Sequence, residues 1–126
     1  MTEHEEQVAV VRFFKAQYPK YKEYIMSIPN GSVLHKGKPK GKDFARYNWM
    51  IAEGFKPGVS DLFIAVPNQS KHGLWIEMKQ TEKPSKLKEN QKEFIDNMNK
   101  IGYEAHCAKG CEVAIEIIKE YMKGVV

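Results

Sequence analysis

Cysteine is scarce: Cys107 and Cys111 are the only two in 126 residues. A disulfide-stapled secreted scaffold is therefore not expected, and a reducing cytosol suits the chain better. Long apolar runs are missing as well. No stretch approaches the roughly 18 residues that cross a bilayer, and the mean hydropathy is -0.55, so a soluble protein without membrane association is expected. The opening MTEHEEQVAV has no basic stretch leading into an apolar one, as a secretory signal would. His4, His35, His72 and His106 are scattered without ligand spacing, which argues against zinc held by Cys and His. Arginine and aspartate are rare, with two and three residues. Eighteen of the twenty cations are lysine, which suits phosphate contact better than the reading of base edges.

What is present is enough for one core. A chain of this length with 42% hydrophobic residues fits a single domain over residues 1–126. The net charge of +4 is compatible with a polyanionic partner without demonstrating one.

Periodicity orders the chain. Gln7, Val10, Val11, Phe14 and Tyr18 recur at helical spacing before Pro19, which predicts a first helix from Glu3 to Tyr18. Tyr24 to Pro29 reads as a strand closed by a turn, and Val33 and Leu34 as part of another. Residues 35–46 carry Lys36, Lys38, Lys40, Lys42 and Arg46 among Gly and Pro, with Asp43 as the only acid. That segment is expected to be a mobile basic loop, either a phosphate-binding element or a solvated connector. Phe44, Tyr47, Met50 and Ile51 predict a helix that stops before Gly54. Two strands, Ser60 to Val66 and Gly73 to Lys79, form a hairpin that is apolar on both faces, so helices should cover it above and below. A helix from Leu87 to Ile101, a strand from Tyr103 to Ala108 and a last helix through Val113, Ile117, Ile118 and Tyr121 complete a mixed α/β sandwich.

Charge inside the hairpin is the informative feature. Glu77 and Lys79 share one strand face with Trp75, while Leu74, Ile76 and Met78 take the other. A turn centred at Ser70 pairs Asp61 with Lys79; one centred at Gln69 pairs it with Glu77. Either register brings Asp61 and Glu77 close, with Lys79 beside them. Two carboxylates in an apolar sheet repel and lose hydration unless a cation compensates. Mg²⁺ would do so, since it takes a few carboxylates, waters and substrate phosphate oxygens. Lys79 could then orient or help deprotonate an attacking water, or stabilise charge building on the phosphate. A Glu-x-Lys triplet alone means little, because chance gives about two in a chain of this composition. Its weight comes from the strand and from Asp61 opposite. A structural ion pair is the plain alternative. Gln91, on the stripe of the third helix between Leu87 and Ile95, and Glu3 and Gln7, four apart on the first, are further polar residues on inward faces. A satisfied core glutamine and a frayed terminal acid are the ordinary readings of these.

Taken together, Glu3-x-x-x-Gln7, Ile28-Pro29-Asn30-Gly31, Gly54-Phe55-Lys56-Pro57-Gly58-Val59-Ser60-Asp61-Leu62, Ile76-Glu77-Met78-Lys79 and Leu87-Lys88-x-x-Gln91 resemble the virus-type replication-repair nuclease (VRR-NUC) family of the PD-(D/E)XK nuclease superfamily. The resemblance implies a mixed central sheet flanked by helices and a metal-dependent phosphodiesterase. By position, Asp61 and Glu77 would ligate Mg²⁺ or Mn²⁺, the Met78 carbonyl could add a ligand, and Lys79 would act on the nucleophilic water. Glu3 would be the helix acid, with Glu6 as its rival, and Gln7 and Gln91 the supporting glutamines. Ser60 stands where the family usually has Pro. Stand-alone phage and bacterial members of this length look like homodimeric, structure-selective DNA nucleases, some cutting four-way junctions, which implies a bacterial or phage-infected cytosol.

The expected function is thus a divalent-metal-dependent DNA endonuclease acting on branched DNA as a homodimer. Lys36, Lys38, Lys40, Lys42 and Arg46, with Lys83, Lys86 and Lys88 nearer the site, would hold the backbone through salt-sensitive contacts. The alternatives are a non-catalytic nucleic-acid-binding module with a decayed site, and a structural subunit whose charged hairpin is an ion-paired interface.

Overall fold

The computed structural model describes residues 1–29 and 42–126. Helix α1 (Glu3–Gln17) starts at Thr2, whose Oγ1 accepts the Glu5 N–H at 3.1 Å while Glu5 Oε1 accepts the Thr2 N–H at 2.8 Å. This reciprocal cap satisfies two of the donors a helix start leaves orphaned. A 3-10 turn over Pro19–Tyr24, which periodicity did not reveal, leads into β1 (Ile25–Ser27). After α2 (Lys42–Ala52) come β2 (Leu62–Ile64), β3 (Leu74–Lys79), α3 (Glu89–Lys100), β4 (Glu104–Lys109) and α4 (Cys111–Met122).

The four strands form one sheet in the order β1-β2-β3-β4. β1 and β2 are antiparallel, as are β2 and β3, whereas β4 runs parallel to β3 after the α3 crossover. Helices cover both faces, as the doubly apolar hairpin required. Val10 and Phe14 of α1 and Ala114, Ile118 and Tyr121 of α4 pack with Leu62, Ile64, Leu74, Ile76 and Met78. Each large side chain fully removed from water here contributes roughly 1.5–3 kcal/mol. The buried Tyr121 hydroxyl donates to the Val66 carbonyl at 2.6 Å, so its polar end costs nothing unpaired. On the opposite face Trp75 stacks on Phe63 at 4.2 Å between ring centres and meets the Phe94 edge from α3 at 5.0 Å.

One expectation changes. Residues 42–46 belong to α2 rather than to a loop, because the apolar spacing from Phe44 onward is helical and nothing before it breaks the turn. Among the described residues α2 half-buries Tyr47 and Met50 and leaves Phe44, Trp49 and Ile51 exposed. The strand expected at Val33 and Leu34 lies outside the described residues, as do Asn30, Gly31, Lys36, Lys38 and Lys40. Among the described residues no helix is long and apolar enough to cross a membrane.

Candidate active site

Asp61 immediately precedes β2, and the observed pairing of Leu62 with Ile76 sets its position. Extended by one residue, this register places Asp61 opposite Glu77, so the turn is the one centred at Gln69. Asp61, Glu77 and Lys79 are 8%, 3% and 5% exposed. Three ionisable groups removed from water this far need compensation.

Each has part of it. The Met78 N–H donates to Asp61 Oδ2 at 2.7 Å, a bond that ties the start of β2 to the strand bearing Glu77 and Lys79. Gln91, on the first turn of α3, donates from Nε2 to Glu77 Oε2 at 3.3 Å. Its Oε1 accepts from Lys79 Nζ at 3.2 Å and from the Lys88 N–H at 2.9 Å. Lys79 Nζ also donates to Ser85 Oγ at 3.3 Å and stands 3.9 Å from Glu77 Oε2. Gln91 is therefore the connector between the acid and the amine.

Glu77 Oε1 is buried without a hydrogen-bond partner. A proton shared with Asp61, a water or a cation would satisfy it. Burial, then the hydrogen bond and charge of Asp61, push Glu77 up to about 9 despite the opposing Lys79, with Glu3 adding a smaller push. Without a metal Glu77 thus keeps its proton, the usual outcome for one of two carboxyls that share a buried site. The oxygens are hard donors, and the orphaned one is where a hard dication would bind, so the residues fit Mg²⁺ or Mn²⁺. Among the described residues no three His, Cys, Asp or Glu side chains converge on a common point for an ion. Two carboxylates and a backbone oxygen would then be the protein's share, with water or phosphate oxygens completing the shell.

Glu3 and Gln7 are both half-buried and line a groove together with Asp61. Burial, then the charge of Asp61, raises the Glu3 carboxyl, and Lys79 opposes. Glu6 is elsewhere. Its carboxylate, 2% exposed, accepts the Thr81 N–H at 2.7 Å, the Thr81 hydroxyl at 2.6 Å and the Cys111 N–H at 3.1 Å. The buried stripe of α1 is thus Glu6, Val10 and Phe14, whereas Glu3, Gln7 and Val11 form the neighbouring stripe. This corrects the sequence-based face, which ran Glu3 and Gln7 into Phe14. Of the two rival acids, Glu3 is the one beside Asp61.

Lys83, Lys86 and Lys88 are exposed on the segment between β3 and α3 that Ser85 ties to Lys79. Arg46 is exposed on α2, and Lys42 begins that helix. The partners Thr81 and Ser85 had no sequence signal, since both lie in a polar stretch. Glu6 had one: it is four residues before Val10 and eight before Phe14. Cys107 pairs with Glu77 in the β3–β4 register, but burial, then Glu77, raises its thiol, which makes it a poor nucleophile.

The VRR-NUC domain family matches residues 1–112. A solved VRR_NUC domain protein is 32% identical, with 98% of this chain and 89% of that one covered and a TM-score of 0.76. No curated protein matches. With the match running over most of its length and the mixed sheet shared, the chain belongs to the VRR-NUC domain family.

Proposed function

We propose that the protein is a divalent-metal-dependent DNA endonuclease. The observation that carries this reading is the buried pair Asp61 and Glu77, one oxygen of which has no partner, with the Lys79 amine alongside. A purely structural ion pair would favour a partner for that oxygen, because an unmatched buried acceptor costs about 1–3 kcal/mol. Asp61 and Glu77, with the Met78 carbonyl, would hold Mg²⁺ or Mn²⁺. When bound, the ion supplies Lewis acidity at the phosphate and lowers the pKa of a ligated water. Lys79 has three donors, and Ser85 and Gln91 take two of them. The third is free to orient the water or to stabilise charge on the phosphate. Gln91 keeps Lys79 and Glu77 in mutual register, and Glu3 and Gln7 border the approach to Asp61.

Branched DNA, including four-way junctions, is the proposed substrate. Lys36, Lys38, Lys40, Lys42, Arg46, Lys83, Lys86 and Lys88 would hold its backbone. A small chain has little surface for both cutting and selecting a branch, so a symmetric dimer presenting two sites to two strands fits this role. The exposed Phe44, Trp49 and Ile51 of α2 are apolar surface that such a dimer would cover.

The test incubates wild type and Lys79→Ala with labelled branched and linear DNA in Mg²⁺, Mn²⁺ or EDTA. Metal-dependent cutting that vanishes in the variant supports the reading. Equal cutting by both removes the role of Lys79, and binding by wild type without any cutting favours the non-catalytic module.

A further inference from the structure

The Glu3 stripe of α1 has an unused continuation. Steps of four run from Glu3 through Gln7 and Val11 to Lys15, with Arg12 on the adjoining row. All five line a groove of about 680 Å³ between α1 and the segment Ile25 to Pro29. Its acid end is fixed: the Ile28 N–H donates to the Asp61 carbonyl at 2.9 Å. The cations lie at the other end. At ~1.5 Å rise per residue, Arg12 and Lys15 are about 14 and 18 Å along the helix from Glu3.

We propose that this groove seats an unpaired nucleic-acid strand leading into the candidate active site, with Arg12 and Lys15 holding its phosphates. The proposal rests on the nuclease reading, because the scissile phosphate would sit at Asp61 and Glu77 and the chain must leave from there. The spacing suits it: about four to five phosphates of a stacked strand at ~3.4 Å each, fewer when extended, separate the acids from the cations. The charges suit it too, with guanidinium and ammonium where only backbone phosphates arrive. Between the two ends Val8, Val11 and Ile28 give the walls an apolar stretch, with His4, Gln7 and Ser27 as polar neighbours. A duplex turns phosphates outward and would leave those walls uncovered. An unpaired strand turns out sugars and base faces, which match them. The volume falls within the roughly 300–1,000 Å³ of sites that enclose small organic ligands, the scale of a short run of nucleotides.

The experiment compares wild type with the double variant Arg12→Gln/Lys15→Gln by fluorescence anisotropy in EDTA, so that nothing is cut. The probes are a blunt DNA duplex, the same duplex with a single-stranded tail, and the tail alone. Both substitutions are at exposed positions, and a thermal melt verifies folding. Expected is weaker binding of tail and tailed duplex, with the slope of log affinity against log salt reduced by about 1.4, or ~0.7 per lost phosphate contact on a single strand. Blunt-duplex binding stays unchanged. An unchanged slope overturns the proposal, as does an equal loss on blunt duplex. Cleavage of tailed DNA by wild type is measured separately with Mg²⁺. A wild type that cuts nothing while the tail slope still falls removes the nuclease reading alone. One that cuts while the slope stays put removes the groove alone.

Discussion

Gln91 holds Lys79 by one end of its amide and Glu77 by the other, at 3.2 and 3.3 Å. The amide orientation is fixed by the Lys88 N–H on the same Oε1, so the two charged groups are set by the first turn of α3. Truncation in Gln91→Ala should lower the cleavage rate about 10–100-fold, the usual effect of removing a residue that orients a metal-site group. Stability should fall by about 1–2 kcal/mol for the lost bonds. Single-turnover kinetics and urea melts measure the two effects. An unchanged rate would mean that Gln91 only caps its helix.

Glu77→Gln should raise the stability of the metal-free protein at neutral pH while abolishing divalent-ion binding. Its folded value, about 9, lies above the ordinary carboxyl value of 4.5. The folded state therefore keeps a proton that the unfolded chain gives up. That contribution is complete below the unfolded value and is lost as pH climbs through about 9. Melting temperatures of the metal-free wild type should decline across this window, and the variant should lose that decline. Metal affinity should run the other way, rising with pH because the ion must displace the proton.

Glu6→Ala should cost about 2–4 kcal/mol by leaving the Thr81 and Cys111 donors unmatched. The Thr81 hydroxyl, then the backbone N–H groups of Thr81 and Cys111, hold the Glu6 carboxyl below its ordinary value against the cost of burial. Here the folded value is depressed, so the stabilisation exists above 4.5 and disappears as pH falls through the folded value. Acid titration of the melting temperature, wild type against Glu6→Gln, measures it. Gly110 belongs to the same junction: at φ +96°, any Cβ there would collide with Thr81 Oγ1.

Ser60→Ala should be neutral or stabilising by up to about 1 kcal/mol with cleavage unchanged. The Ser60 hydroxyl is 1% exposed and has no hydrogen-bond partner, so removing it removes an unmet polar group. A loss of stability would show that the hydroxyl has a partner in solution.

The hairpin was legible because its strands are apolar on both faces and its few charges stand out against them. Gln91 was legible for a similar reason, as a polar residue on the stripe between Leu87 and Ile95. The face of α1 was misread by one residue per turn. Val10, Val11 and Phe14 are all apolar, and neighbouring stripes on a helix differ by only about 100° per residue. The spacing of Glu6 to Val10 and Phe14 offered the inward face as one choice, and contact with Thr81 and Cys111 decides it. α2 was legible as a helix but not as an exposed one, since amphipathic spacing says which residues group together and not what covers them.

The sequence by itself determined the four helices, the strands of the hairpin and of β1 and β4, their order and the residue types at the candidate site, because these follow from local spacing and from charges set in apolar strands. Tertiary structure decided which register the hairpin takes, which of two acids on α1 faces Asp61, and that Glu77 is left with an unsatisfied oxygen. Those depend on distances between segments far apart in the chain, and burial against a second element is what turns an ordinary carboxyl into one that keeps its proton.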